Sequence, residues 1–256
     1  VVRNQRAEVR MSKLSVDEGM YRDAGYCLVP NLIPQDLICA ARKRLEQIVT
    51  DRPTWSAAHF QDLDPSRCPG DEPVPAGIQR PALEEDTFAR IAEHPRLAEA
   101  MGALLEGPVE LFTDQLGVKH GWIDTEQGGR SYFHQDSWYW KVEPELGCNC
   151  WIPLHDVDVD AIALAVMPGS QQGWQLTTHE SYYDDPSMGS VVDGGFQPFK
   201  RHRIADHDVD LSKEQLVHMQ PGDGLCFTNY TWHRSEPNRS GQTKAFYAIA
   251  WQRAES

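Results

Sequence analysis

No stretch of this sequence approaches the roughly 20 consecutive apolar residues that cross a bilayer, so no membrane-spanning helix is expected. Basic residues are scarce. The 24 Lys and Arg are outnumbered by 38 Asp and Glu, for a formal net charge of −14. A nucleic acid or an anionic membrane surface calls for clustered positive charge, so neither is an expected partner. Cysteine is sparse, with six in 256 residues. Cys148 and Cys150 are the only close pair, and no second pair matches them as a zinc site requires. The thiols read as reduced and partly buried, which fits a cytoplasmic location. Val1–Arg10 has no apolar core of a secretory leader. Residues 1–11 read as an N-terminal extension, with Met11 a candidate start.

What is present is a chain of one-domain size. Hydrophobic residues make up 40%, enough for a core, and 19 Gly and 17 Pro indicate many turns. Residues 12–256 are read as one domain, monomeric or homodimeric, whose N-terminal part, 12–106, is helical. A short helix over 17–23 stops at Gly25, and Tyr26–Val29 is a brief strand. Leu37, Ile38, Ala41, Leu45, Ile48 and Val49 recur at helical spacing between charged residues, the pattern of an amphipathic helix. Residues 51–82 are rich in Pro, Asp and Gly and read as loop. Residues 84–106 read as helix, broken near Pro95.

From 108 onward, short β-rich runs follow one another: 109–112, 116–119, 132–138, 149–154, 163–167, 216–219, 224–227 and 245–251. Turn signals such as Pro168-Gly169-Ser170 and Pro221-Gly222-Asp223-Gly224 separate them. That texture predicts a mainly β sandwich or barrel with flanking helices. A polar, irregular insertion over 171–213 interrupts the strands. Loops of that length in compact domains are usually lids or binding loops.

His134-Gln135-Asp136 falls in the run 132–138. On a strand, residues two apart share a face, so His134 and Asp136 would aim at one point and Gln135 away from it. A histidine from a neighbouring strand would complete a 2-His-1-carboxylate face, which leaves three adjacent positions open on a non-haem Fe(II) ion. By itself H-x-[DE] is weak, because ten histidines and 38 acidic residues make such a match ordinary.

The surrounding order is more specific. Asp23-Ala24-Gly25-Tyr26 and Asp114-Gln115-Leu116-Gly117-Val118-Lys119 precede the motif. Trp151-Ile152-Pro153-Leu154, Val166-Met167-Pro168-Gly169-Ser170, Gln220-Pro221-Gly222-Asp223-Gly224 and His233-Arg234-Ser235 follow it. Together they resemble the phytanoyl-CoA dioxygenase family, which includes ectoine hydroxylase. The resemblance implies a double-stranded β-helix (jelly roll) and chemistry that uses Fe(II), O2 and 2-oxoglutarate to oxidise, most simply to hydroxylate, a C–H bond of a small molecule. It implies that His134, Asp136 and His233 are the metal ligands. It puts Lys119, Trp151 and Ser235 around the 2-oxoglutarate site.

The family also has an arginine eleven residues after the distal histidine, to grip the far carboxylate of 2-oxoglutarate. Here that position is Lys244. Lysine is a point charge where arginine is a planar fork, so Lys244, helped by Arg239, is the expected anchor. Asp136 disfavours halogenation, since related halogenases lack this carboxylate. Candidate substrate residues are Gln115, Trp138, Tyr139, Trp174 and Phe199. Arg201 joins them from the basic run Lys200-Arg201-His202-Arg203. Other readings are a jelly-roll iron oxygenase without 2-oxoglutarate, a zinc hydrolase built on two His and a carboxylate, or a non-catalytic jelly-roll binding protein.

Overall fold

A computed structural model describes residues 14–123, 129–192 and 195–254. The proposed extension 1–11 lies outside them. Helix α1 (Glu18–Ala24) starts at Asp17, whose carboxylate accepts the Met20 N–H, and ends at Gly25, which adopts φ 84°. Strand β1 (Tyr26–Val29) follows, then α2 (Gln35–Thr50), which buries Leu37, Ile38, Ala41, Leu45 and Ile48. Each large apolar side chain so buried stabilises the fold by about 1.5–3 kcal/mol.

Residues 51–82 are not all loop. They contain β2 (Phe60–Leu63) and β3 (Pro75–Gln79), paired antiparallel. Breaker residues hid β3. Pro75 is its first residue, where no ladder donor is lost. A Cβ at Gly77 would lie 2.7 Å from Oε1 of Gln61, its partner in the ladder, whose side chain covers the glycine. Helices α3 (Asp86–Ala92) and α4 (Pro95–Leu104) break at Pro95 as expected. The helical N-terminal part therefore also contributes three strands to the main sheet.

The runs 109–112 and 116–119 are one strand, β4 (Val109–Lys119). Next come β5 (Gly147–Pro153) and β6 (Leu164–Val166). The insertion is more regular than its polarity suggested. It holds β7 (His179–Tyr182), β8 (Met188–Val192), β9 (Gly195–Pro198) and β10 (Arg201–Ile204). β7 and β10 pair with each other, while β8 and β9 extend the main sheet beside β2. The remaining strands are β11 (Gln215–Val217), β12 (Gly224–Thr228), β13 (His233–Ser235) and β14 (Lys244–Arg253).

The nine-stranded sheet runs β1-β12-β5-β14-β4-β3-β2-β8-β9, and a three-stranded sheet runs β11-β6-β13. Strand alternation sorts the residues into layers. Ala245, Tyr247 and Ile249 of β14, Cys150 and Ile152 of β5, and Leu116 and Val118 of β4 pack with the helices. Trp151, Leu225, Phe227 and Ala248 face the other way, against Leu164, Val166 and Val217 of the small sheet. This is the jelly roll, with helices on the outer face of its larger sheet. The five buried cysteines and the exposed Cys39 are all free thiols. Among the described residues no helix is long and apolar enough to cross a membrane.

Candidate metal centre

Three side chains converge at one end of the roll. One ligand atom each from His134, Asp136 and His233 lies within 4.8 Å of the others. His233 sits on β13, and His134 is tied to it by a single antiparallel bridge with backbone bonds of 3.1 and 3.2 Å. The expected strand over 132–138 is reduced to that bridge. Asp136 instead opens the short turn Asp136–Trp138. The turn brings its carboxylate back towards the imidazoles, with Oδ1 3.8 Å from His134 Nε2 and 3.6 Å from His233 Nε2.

Hydrogen bonds fix which atoms are free. His134 Nδ1 is 2.8 Å from the Tyr132 carbonyl and His233 Nδ1 is 3.0 Å from the Thr231 carbonyl. A carbonyl only accepts, so each Nδ1 carries the proton and each Nε2 presents a lone pair. Burial lowers His134 to about 3 and His233 to about 4, so both rings are neutral at physiological pH. Asp136 Oδ2 accepts from Asn149 Nδ2 at 3.0 Å, which leaves Oδ1 for the centre. Burial raises the Asp136 carboxyl, while the His134 imidazole and the Asn149 bond pull it back down. Two neutral imidazoles and a carboxylate, ordered by outer partners and open on one side, match the donor set of a facial Fe(II) site.

Gln135 does point away, but to a purpose the sequence did not reveal. Its Nε2 donates to the carbonyls of Gln175 and Tyr230, and its Oε1 accepts the Thr177 N–H. The loop that carries two ligands is thereby fastened to the insertion and to the segment before His233.

The open side gives onto a cavity of about 370 Å³, lined by His134, Asp136, Gln115, Tyr139, Phe199 and Arg201 among others. The Tyr139 ring lies 6.2 Å from that of His134. Four of the expected substrate residues, Gln115, Tyr139, Phe199 and Arg201, are thus gathered here. Gln61, Gln79 and Trp140 also line the cavity. The two glutamines come from the stretch read as loop, so they had no visible strand context.

Two expected substrate residues lie elsewhere. Trp138 stacks on His179 at 4.4 Å, and Trp174 packs against Tyr230 and lines a separate cavity with α1 and α4 residues. Aromatic character marked them, but neither the proximity of Trp138 to the motif nor the place of Trp174 in the insertion fixes the direction of a side chain.

A second recess of about 130 Å³ adjoins the first and shares Gln61, Gln115 and Arg201 with it. Lys119 and Ser235 line it, with Ser131, Asp184 and Phe246. Lys119 Nζ donates to Ser235 Oγ and to the Glu236 carbonyl, both at 2.6 Å. Burial lowers its pKa to about 7. Trp151 is one layer back, stacked on Phe246 at 4.9 Å.

The expected carboxylate anchors are not on these walls. Lys244 lines neither space and lies near His155, whose pKa its charge helps to lower. It is paired in register with Lys119 across the β4–β14 ladder. Arg239 is half exposed and lies 3.8 Å from Glu236.

Similar solved structures include EvdO2 from Micromonospora carbonacea var. aurantiaca complexed with 2-oxoglutarate, at 20% identity and a TM-score of 0.67, covering 94% of this chain and 93% of that one. EctD from S. alaskensis with 2-oxoglutarate and 5-hydroxyectoine aligns at 17% identity and a TM-score of 0.68, over 92% of this chain and 74% of that one. The epimerase SnoN in complex with Fe3+, alpha ketoglutarate and nogalamycin RO aligns at 17% and 0.66, over 93% and 82%. At such identities the likeness shows the fold. No curated protein matches the sequence. The model of the family phytanoyl-CoA dioxygenase (PhyH) matches residues 21–246, and by that match the chain belongs to the phytanoyl-CoA dioxygenase family.

Proposed function

We propose that this chain is an Fe(II)- and 2-oxoglutarate-dependent oxygenase that hydroxylates a C–H bond of a small organic molecule. The observation that carries the reading is the convergence of three ligand atoms, with their tautomers already set, on the wall of a cavity. His134, Asp136 and His233 would hold the iron, and the iron would supply the site where the 2-oxo acid and O2 react. The similar structures of EvdO2 and EctD contain 2-oxoglutarate, and SnoN contains Fe3+ with alpha ketoglutarate.

The chain's own residues do the rest. Ser235 lies two positions after His233 on β13, about 6.6 Å along the strand and on the same face. A five-carbon dicarboxylate held at the metal would extend towards the recess of Lys119 and Ser235. Tyr139, Trp140 and Phe199 exclude water from the larger cavity and hold the substrate against the centre. The insertion 171–213 supplies Phe199 and Arg201 and acts as a lid. With Asp136 as a third protein donor, the site would keep room for a 2-oxo acid and O2 but would offer no protein-vacated position to a halide.

The test is anaerobic addition of Fe(II) and then 2-oxoglutarate to the metal-free protein. A weak visible charge-transfer band is expected, and it is absent in His233→Ala. Iron bound without a band points to a jelly-roll oxygenase that uses no 2-oxo acid. Failure to bind iron overturns the metal reading.

A further inference from the structure

The smaller recess has an unusual charge. Its charged walls are Lys119, Arg130 and Arg201 against a single carboxylate, Asp184. A net positive recess in a chain of net charge −14 is a place made for an anion. Glu236 does not cancel it, because its carboxylate is 2.7 Å from Arg234, which is also paired with Glu214 at 2.8 Å.

Arg130 is exposed, with its guanidinium 5.7 Å from the Tyr132 ring centroid. Arg201 is more deeply set, and it lines both the recess and the cavity that opens on His134 and Asp136. Its partner is incomplete. Asp184 Oδ2 is 3.7 Å from Arg201 Nε, longer than a hydrogen bond, and both atoms are buried without a hydrogen-bond partner. An unpaired buried donor is costly, and an acceptor that completes the bonding of Arg201 Nε is bound correspondingly well; Asp184 Oδ2 is itself an acceptor and gains nothing from an anion.

The ladder between β7 and β10 explains why Arg201 is there. It places Arg201 opposite Tyr182, two residues before Asp184, so the insertion delivers the cation and its acidic neighbour together.

Resting on the proposed use of 2-oxoglutarate, we infer that Arg201 is the guanidinium that grips its far carboxylate, alongside Lys119 and Ser235, and that Lys244 takes no part. The incoming carboxylate meets the Arg201 guanidinium and, below about pH 7, the Lys119 ammonium, against the single carboxyl of Asp184. Arginine offers the planar fork that lysine at 244 lacks. The anchoring arginine thus comes from the insertion rather than from β14.

The experiment compares two 2-oxo acids with the Fe(II)-loaded protein under anaerobic conditions. 2-Oxoglutarate carries the far carboxylate, and 2-oxobutyrate has the same chelating end without it. Dissociation constants are read from the charge-transfer band and by calorimetry for the wild type, Arg201→Gln, Arg201→Lys and Lys244→Gln. Arg201→Gln is expected to weaken 2-oxoglutarate by about 10- to 100-fold and to leave 2-oxobutyrate unchanged. Arg201→Lys falls between, and Lys244→Gln matches the wild type for both.

Unchanged 2-oxoglutarate binding in Arg201→Gln overturns the assignment, as does an equal loss for both acids. Weakened 2-oxoglutarate binding in Lys244→Gln alone returns the role to β14. A wild type that binds iron and neither acid overturns the co-substrate reading itself, whereas a wild-type band that survives Arg201→Gln overturns only the role of Arg201.

Discussion

Asn149 has no chemistry of its own to offer the centre, yet it decides which oxygen of Asp136 is available. It reaches that carboxylate because β5 alternates, with Cys148 and Cys150 towards the helices and Asn149 on the opposite face. Removing it frees Oδ2 to compete and lets the carboxylate rotate. Asn149→Ala is expected to weaken Fe(II) binding about 10- to 100-fold with little change in fold, measured by anaerobic metal titration beside circular dichroism.

Lys119 supports a pH prediction. Its pKa is lowered to about 7 by burial, which outweighs the attraction of Glu236 and Asp184; Arg234 and Arg201 lower it further. An anion binds the ammonium form. Affinity for 2-oxoglutarate is therefore highest below pH 7 and falls as pH rises through about 7, the direction set by a folded-state value below that of a free lysine. Calorimetry from pH 6 to 8.5 checks it, and Lys119→Met, which keeps the stem and removes the charge, should flatten the profile. At this scale the three side chains that converge, His134, Asp136 and His233, were legible because motif order marks them. Asn149, Gln135 and Asp184 were not, since their meaning lies in partners distant along the chain.

At the scale of elements, α1 shows what a single glycine holds. Gly25 ends the helix at φ 84°, and its carbonyl accepts from Thr231 Oγ1 at 2.7 Å, close to the segment that leads into His233. A Cβ at this position would lie 2.5 Å from both Gln171 Oε1 and Thr231 Oγ1. Gly25→Ala is expected to cost about 1–3 kcal/mol, from left-handed strain and the clash together. Thermal denaturation should show Tm lowered by about 2–4 °C for each kcal/mol. The stop at Gly25 could be read in advance because it is local chemistry. β2, β3 and the four strands of the insertion could not, because their sequences carry Pro, Gly and charge. They become strands only through the ladders they join, β2 and β3 beside β4, and β8 and β9 beside β2. In the other direction, the run 132–138 looks like a strand and yields one bridge, since Asp136 must turn back to meet two imidazoles.

At the scale of the molecule, the layers were legible from texture alone: helices first, then short strands closing a roll. The division of labour at the open end was not. The jelly roll supplies the three converging side chains from β13 and the adjoining loop, together with Tyr139 and Trp140, and the insertion supplies Phe199, Lys200 and Arg201 to the same cavity. The two spaces share Gln61, Gln115 and Arg201 as a common wall. An occupant of either space touches side chains that also shape the other, and any rearrangement of that shared wall would link the two binding events thermodynamically. The linkage is reciprocal by necessity: if the co-substrate, by settling Arg201, improves the fit of the substrate, the substrate strengthens the hold on the co-substrate by the same factor. A reaction that consumes 2-oxoglutarate without its partner is wasteful, and a shared wall lets each ligand report the presence of the other.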